Sequence, residues 1–322
     1  MDATPRYSFG PVPSRRLGRS LGVNNIPAKT CTYSCVYCQV GRTSRMTMDR
    51  QVLYPPADIV SDVTRRVEEA RIAGERIDYL AFVPDGEPTL DANLGDEIEG
   101  LQGLGIPVAV ITNGSLLWRE DVRRDLSQAD WVSVKVDTVD EAIWRAIDRP
   151  HRSLDLAKVL EGVRSFAAGF RGELATETML VTSLNDSEEG VRAVAEFVGG
   201  LHPSRAYLSI PTRPPAESWL PPVPDEQMLN TLFQRFAEVV PGAEYLIGYE
   251  GDEFASTGDI EADLLCITAV HPMRSDAVQA MLDAGGHPPE VLERLIERGD
   301  LVRTGFGGHT FYLRRLPGLP RR

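Results

Sequence analysis

Apolar residues along most of the chain alternate between two spacings. Short β-rich runs recur as RSLGVNN (19–25), DYLAFVP (78–84), PVAVIT (107–112), WVSVKVD (131–137), LATETMLV (174–181) and AYLSIPT (206–212). Between them, apolar residues return every three or four positions. Ile59, Val63, Val67 and Ala70 do so within 57–74, and Leu156, Val159, Leu160, Val163 and Phe166 within 156–169. Positions around Val191 to Val198, and then Leu229, Leu232, Phe233 and Phe236, continue that spacing. A strand repeats every two residues and a helix every 3.6, so this alternation predicts βα repeats around a parallel sheet. Six strand-plus-helix units are too few to close an eight-stranded barrel. They predict an α/β fold, a partial (β/α)6 barrel, with chemistry at the carboxyl ends of the strands.

The pattern then changes twice. Six positions between residues 211 and 224 are proline, in PTRPPAESWLPPVP. Proline fixes φ and donates no hydrogen bond, so this is a stiff loop over the barrel mouth or leading to the next element. From about residue 259 the βα alternation ends. Residues 261–284 and 289–298 read as helices that bury Ala277, Met281, Leu282, Val291, Leu292, Leu295 and Ile296. DLVRT, the turn GFGGH and TFYLRR then read as a β-hairpin. The expected organisation is a barrel over 1–258 and a small winged-helix-like domain over 259–322. Its second helix carries Glu290, Glu293 and Glu297 against Arg294 and Arg298, poor chemistry for a major groove. Docking to a protein, a peptide or the barrel is expected ahead of DNA binding.

Length and composition narrow the class. With 322 residues and 42% hydrophobic content the chain can bury one large core, or one large and one small. No apolar run approaches the roughly 18 residues of a membrane span, and MDATPRYSFG lacks an apolar signal segment. A soluble, cytoplasmic protein without a membrane partner is expected. The net charge of −13 is unevenly spread: residues 1–50 hold eight basic and two acidic side chains, residues 259–322 eight and nine. An acidic chain is not built to grip nucleic acid broadly. The basic N-terminal region suits an anionic substrate or a reductant, or pairing with local carboxylates.

Three of the four cysteines, Cys31, Cys35 and Cys38, crowd into CTYSCVYC, spaced Cys-x3-Cys-x2-Cys. A structural zinc site needs four closed ligands, yet the nearest histidine is His151 and Cys266 lies far along the chain. Three thiolates on one loop instead suit a 4Fe–4S cluster with one iron free of protein ligands. DGEPTL (85–90) follows the second strand: Gly86 permits close backbone approach, and Glu87 can accept from an ammonium. TNGS ends the third strand, where Asn113 and Gly114 suit a tight turn and Thr112 and Asn113 are candidate ligand contacts. In WVSVKVD, period two puts Ser133, Lys135 and Asp137 on one face, with Thr176, Thr178, Ser209 and Arg213 aligned less specifically on later strands. Cys266, in apolar LLCIT, reads as a core thiol.

These motifs resemble the radical SAM superfamily, in which S-adenosylmethionine occupies the open iron. DGEPTL resembles its Gly-Gly-Glu-Pro motif, with Asp85 where many members have the first glycine. FGPVPSRRLGRSLGVNNIPAKTCTYSCVYCQVGRT, PDGEPTL, SIPTRPP and HPMR look like the branch of wyosine-synthetase-related iron–sulfur oxidoreductases. The extra cysteines of true wyosine synthetases are absent, so condensation of tRNA guanine with pyruvate is not expected. The resemblance implies cluster ligation by Cys31, Cys35 and Cys38. It implies S-adenosylmethionine contacts from Tyr37, Gly86, Glu87, Pro88, Thr112, Asn113, Ser133, Lys135 and Asp137. It also implies reductive cleavage of that cofactor to a 5′-deoxyadenosyl radical, and a reductant of the flavodoxin or ferredoxin type. The substrate stays open among RNA, a polypeptide and a small anionic metabolite. The alternative reading is an iron–sulfur sensor that binds DNA through the winged helix.

Overall fold

The computed structural model describes residues 6–221, 226–246, 254 and 258–315. Positions 222–224 of the proline-rich stretch, and most of the segment before residue 258, lie outside the described residues. One eight-stranded sheet dominates. In spatial order it contains β1 (Ser8–Ser14), β2 (Gly18–Val23), β3 (Tyr79–Phe82), β4 (Val108–Thr112), β5 (Trp131–Lys135), β6 (Glu173–Met179), β7 (Arg205–Ser209) and β8 (Ala243–Leu246). Strands β2 to β8 are all parallel, and β1 pairs antiparallel with β2.

All six anticipated strands form, and the sheet is longer by one strand at each edge. Strand β1 escapes a pattern reading because Pro11 and Pro13 interrupt it; proline is tolerated at an edge, where an N–H has no ladder to complete. Strand β8 is four residues long with only Leu246 fully buried, too short and too polar to announce itself. The helices that cover the sheet are α1 (Pro56–Ile72), α2 (Leu94–Gln102), α3 (Glu120–Leu126), α4 (Glu141–Ile147), α5 (Leu156–Gly169), α6 (Glu188–Gly199) and α7 (Glu226–Ala237). Several start on side-chain caps: Asp155 accepts from the Lys158 N–H, and Ser187 from the Gly190 N–H.

Strand alternation sorts side chains into two layers. Leu80, Phe82, Val108, Val110, Val132 and Val134 face the helices and join Ile59, Val63, Val67, Ile98, Val163 and Phe166 in one large core. At roughly 1.5–3 kcal/mol for each such side chain, this layer is the main source of stability. The opposite face carries Ala81, Ala109, Trp131, Ala175, Tyr207 and Leu246. Three of these six are alanine, so the inner face stays open where a larger side chain would fill it.

The C-terminal segment consists of α8 (Ile260–Val270), β9 (Met273–Arg274), α9 (Ser275–Gly285), α10 (Glu290–Glu297), β10 (Leu301–Phe306) and β11 (His309–Arg314). Its strands form a separate antiparallel sheet ordered β9-β11-β10, with Gly307 and Gly308 turning the hairpin at positive φ. Its core is not self-contained. Phe9 and Val12 of β1 pack in one cluster with Leu264, Ile267, Met273 and Leu295. The two arginines of α10 are spoken for: Arg294 and Arg298 both donate to Glu261 at 3.0 Å, and Arg298 also to Asp300 at 2.8 Å.

Leu264 is completely buried in this shared cluster. Leu264→Ala should therefore cost about 2–5 kcal/mol in urea unfolding of the whole chain. A loss below about 1 kcal/mol would show that this segment does not unfold with the barrel.

Candidate active site

The cysteine loop leaves the carboxyl end of β2 and is stitched to its surroundings through the backbone. Thr30 and Cys31 pair in parallel with Arg45 and Met46. Ser34 N–H donates to the Asp148 carbonyl at 3.0 Å, Val36 N–H to Ile147 at 2.8 Å, and His151 N–H to Thr32 at 2.8 Å. Cys31, Cys35 and Cys38 are all free, partly buried thiols, and all line one cavity of about 260 Å³. Cys266 does not line it. Among the described residues no three His, Cys, Asp or Glu side chains converge on a single ion. Three thiols lining one cavity suit a cube that spreads its ligands over three irons. Burial, and secondarily Glu87, push the Cys31 thiol up to about 12. Such a thiol gives up its proton when a metal binds it.

The donors around these sulfurs come from the cysteine loop itself and from the end of β4. Tyr33 N–H and the Asn113 amide approach Cys31 Sγ at 3.5 and 3.7 Å. Lys29 Nζ lies 3.9 Å from Cys38 Sγ and donates to the Gly41 carbonyl at 2.6 Å. Cys35 Sγ lies 3.3 Å from Asp148 Oδ1.

The DGEPTL loop follows β3 and is pressed against the cysteine loop. The Glu87 N–H donates to the Thr30 carbonyl at 3.1 Å, and a Cβ on residue 86 would stand 2.0 Å from that same oxygen. Only glycine fits there. Glu87 departs from its expected role as an open ammonium acceptor. Its side chain is 1% exposed; Oε1 accepts from Thr89 N–H, Thr89 Oγ1 and Thr112 Oγ1, and Oε2 from Asn113 N–H at 2.8 Å. Four internal donors, three on Oε1 and one on Oε2, engage the carboxylate and lock the end of β3 to the end of β4. Burial raises its pKa above the ordinary range while Thr112, Thr89 and Asn113 oppose the rise. Asn113 is committed likewise: its Nδ2 donates to Thr32 Oγ1 at 2.8 Å and its Oδ1 accepts from Ser115 N–H.

The expected polar face on β5 forms, but its members occupy different depths. Lys135 lines the cavity, with its Nζ 3.1 Å from Glu177 Oε1 and 5.2 Å from the Tyr37 ring centre. Burial opposes the lysine's charge, yet Glu177 and Asp137 outweigh it and raise the pKa. Tyr37 lines the cavity too, its hydroxyl donating to Asp137. Asp137 itself lies behind the lining and also accepts from Met179 N–H. Ser133 lies outside the lining with its hydroxyl buried and unpaired among the described residues, and Pro88 opens a short 3₁₀ turn outside it. Gly86, Glu87, Thr112, Asn113, Tyr37 and Lys135 therefore line the cavity with the cysteines, whereas Pro88, Ser133 and Asp137 do not.

Of the wall that completes the cavity, the sequence pattern singles out only Arg213 and Ser209. On β6 the inward residues are Ala175, Glu177 and Met179, so Thr176 and Thr178 occupy the alternate face. Glu177 accepts from Lys135, from Ser209 Oγ at 3.1 Å, and pairs with Arg16 at 2.9 Å. Burial alone would raise its pKa; Arg16 and Lys135 reverse this and hold it at about 2. Arg15 and Arg16 belong to the turn between β1 and β2. Arg15 Nη1 reaches the Leu246 carbonyl at 2.6 Å and so bridges the two edges of the open barrel. Arg213, at the end of β7, donates to Gln39 Oε1 at 2.7 Å and meets His271 Nε2 at 2.8 Å. His271 and Val270 bring the C-terminal segment into this wall. The strand period alone identifies Glu177, and alignment after β7 points to Arg213, but nothing local identifies Arg15 or Arg16.

A parallel, incomplete barrel with three thiols and a glycine-tight loop at its carboxyl ends is the frame of a radical S-adenosylmethionine enzyme. Residues 25–198 match the Radical SAM superfamily, and the chain belongs to that superfamily. It is 45% identical over 311 residues to a UPF0026 protein of Methanocaldococcus jannaschii, with 96% of each chain covered. Its fold matches a structure of TYW1 with a lysine–pyruvate adduct bound, at TM-score 0.53 and 15% identity over 69% of this chain and 74% of that one. It also matches Streptococcus suis SuiB bound to S-adenosylmethionine, at TM-score 0.52 and 12% identity over 70% and 49%.

Two outcomes follow from this geometry. Glu87→Ala leaves four buried donors without an acceptor and should lower stability by about 2–3 kcal/mol. It should also weaken S-adenosylmethionine binding through displacement of the β3 and β4 ends; unchanged unfolding midpoint and unchanged calorimetric affinity together would refute the pinning role. Glu97, fully buried on α2, accepts from Asn25, whose amide also holds the Pro88 carbonyl. Burial, then Asp91, raises the Glu97 pKa far above 4.5. A raised carboxyl holds a proton that the unfolded chain has lost, so its contribution is complete below the unfolded value and declines as pH rises. Glu97→Gln should flatten the fall in stability between about pH 5 and pH 8, read from denaturation midpoints across that range.

Proposed function

We propose that this chain carries a 4Fe–4S cluster on Cys31, Cys35 and Cys38 and uses it to cleave S-adenosylmethionine reductively, generating a 5′-deoxyadenosyl radical that takes hydrogen from a substrate. The observation that carries the reading is one cavity lined at once by three free thiols, Gly86, Thr112, Asn113, Tyr37 and Lys135. When bound, the cluster supplies a single electron to the cofactor's sulfonium, chemistry that belongs to the cofactors rather than to the protein.

The chain's own residues bind, orient and shield. Gly86 lets the β3 loop approach the cysteine loop, so that strand-end backbone and cluster ligands share one wall. Lys135, kept charged by Glu177, offers a cation for the methionine carboxylate, and Tyr37 an aromatic face for the adenine. The electron comes from a reductant of the flavodoxin or ferredoxin class. The barrel is proposed to span 1–258 and the C-terminal domain 259–322.

The competing reading, an iron–sulfur regulator that binds DNA, gains no support. Arg294 and Arg298 are balanced by Glu261 and Asp300, which leaves α10 with an acidic surface at Glu290, Glu293 and Glu297. Repulsion from phosphate, not attraction, is the result. No helix among the described residues is long and apolar enough to cross a membrane.

Anaerobically reconstituted protein should hold about four irons and four sulfides and release 5′-deoxyadenosine and methionine when given dithionite and S-adenosylmethionine. Alanine at Cys31, Cys35 or Cys38 should abolish both, and Cys266→Ser neither. Iron loss in the Cys266 variant, or retention of a full cluster without Cys35, would sink the assignment.

A further inference from the structure

We infer that the substrate presents an oxyanion, a carboxylate or a phosphoryl group, to Arg16 on the wall of the cavity opposite the cysteines. This rests on the radical reading for the identity of the cavity, but its evidence is separate. Arg16 pairs with Glu177, its Nη2 2.9 Å from Oε2, and its Nε is buried without a hydrogen-bond partner among the described residues. Arg16 is a lining residue of the cavity, and a buried guanidinium N–H without an acceptor beside that space is a vacancy for one.

Charge points the same way. Glu177 is the shared counter-ion of Arg16 and Lys135, so one carboxylate serves two cations. Its Oε1 accepts from Ser209 as well as from Lys135. Arg15 and Arg213 border the same space, the first on the Leu246 carbonyl and the second set by Gln39 and His271. The other carboxylates among the described lining residues, Asp85 and Glu87, belong to the opposite side: Asp85 bonds to Asn24, and Glu87 accepts from Thr89, Thr112 and Asn113. In the reading above the methionine carboxylate of S-adenosylmethionine is matched to Lys135, which leaves Arg16 with Glu177 and its Nε to a further acceptor. A guanidinium N–H bonds most strongly to a charged oxygen, which favours an oxyanion over a neutral acceptor.

The test uses anaerobically reconstituted full-length protein saturated with S-adenosylmethionine, titrated calorimetrically with inorganic phosphate and, separately, with acetate. Saturable binding of either probe in the millimolar range is expected, and the tighter of the two assigns the group as phosphoryl or carboxylate. Arg16→Lys keeps the charge opposite Glu177 but removes Nε, and should weaken the tighter probe about tenfold or more. Arg152→Gln, outside the cavity lining, serves as control and should not change it. If Arg16→Lys fails to fold, Arg16→Gln is read in its place against the same control. Absence of saturable binding by both probes overturns the proposal, as does equal affinity in wild type and the Arg16 variant. So does binding seen only without S-adenosylmethionine, which would give Arg16 to the cofactor's carboxylate. Release of 5′-deoxyadenosine is followed in the same preparation. Cleavage without Arg16-dependent anion binding sinks the oxyanion site alone, and Arg16-dependent binding without cleavage sinks the radical reading alone.

Discussion

The carbonyl of Thr30 and the backbone of Gly86 meet so closely that no other residue could stand at position 86. That contact joins the cysteine loop, which follows β2, to the DGEPTL loop, which follows β3. The Glu87 N–H then bonds to Thr30, and the Glu87 side chain carries the connection on to Thr112 and Asn113 at the end of β4. Asn113 closes the circuit by donating back to Thr32 in the cysteine loop. Three strand ends are thereby held as one rigid rim. A buried carboxylate with four internal donors is costly to disturb, because each donor would be left without an acceptor in a low-dielectric setting.

Below that rim, the sheet's inner face determines how much room there is. Alanines at positions 81, 109 and 175 keep the interior open, and the ion cluster of Arg16, Glu177 and Lys135 occupies it with charge instead of bulk. Buried ions are poor stabilisers, since desolvation takes back most of the Coulombic gain. Their retention in a barrel interior is better explained by binding than by folding. The helix-facing core, continuous and apolar, supplies the stability that allows this.

The C-terminal segment contributes to both functions of the barrel. Its hydrophobic cluster takes in Phe9 and Val12 and so covers the antiparallel edge strand, which would otherwise present unpaired backbone to solvent. Its His271 abuts Arg213 in the cavity wall, where burial, Arg213 and Arg15 hold the imidazole neutral by pulling its pKa well below 6.5.

Local pattern was enough to reveal the six inner strands, the main helices and the cysteine and DGEPTL motifs, because each rests on residues close in sequence: a period of two, a period of 3.6, or a fixed spacing between thiols. The alternation in WVSVKVD likewise put Lys135 on the cavity side before any coordinates. Strands β1 and β8 were hidden, one by prolines and one by brevity, because an edge strand is stabilised by its single neighbour more than by its own composition. Glu87 was identified as a site residue, but its partners lie up to 26 positions away on another strand, and only their convergence showed that its oxygens were taken. Arg15, Arg16, Glu177, Arg213 and His271 come from four distant stretches of chain. No local spacing could relate them, because a charge acquires its partner only when the sheet curls and brings the turn before β2 against β6. Sequence alone thus determined which elements form and which thiols cluster; the closing of the barrel decided which charges face one another.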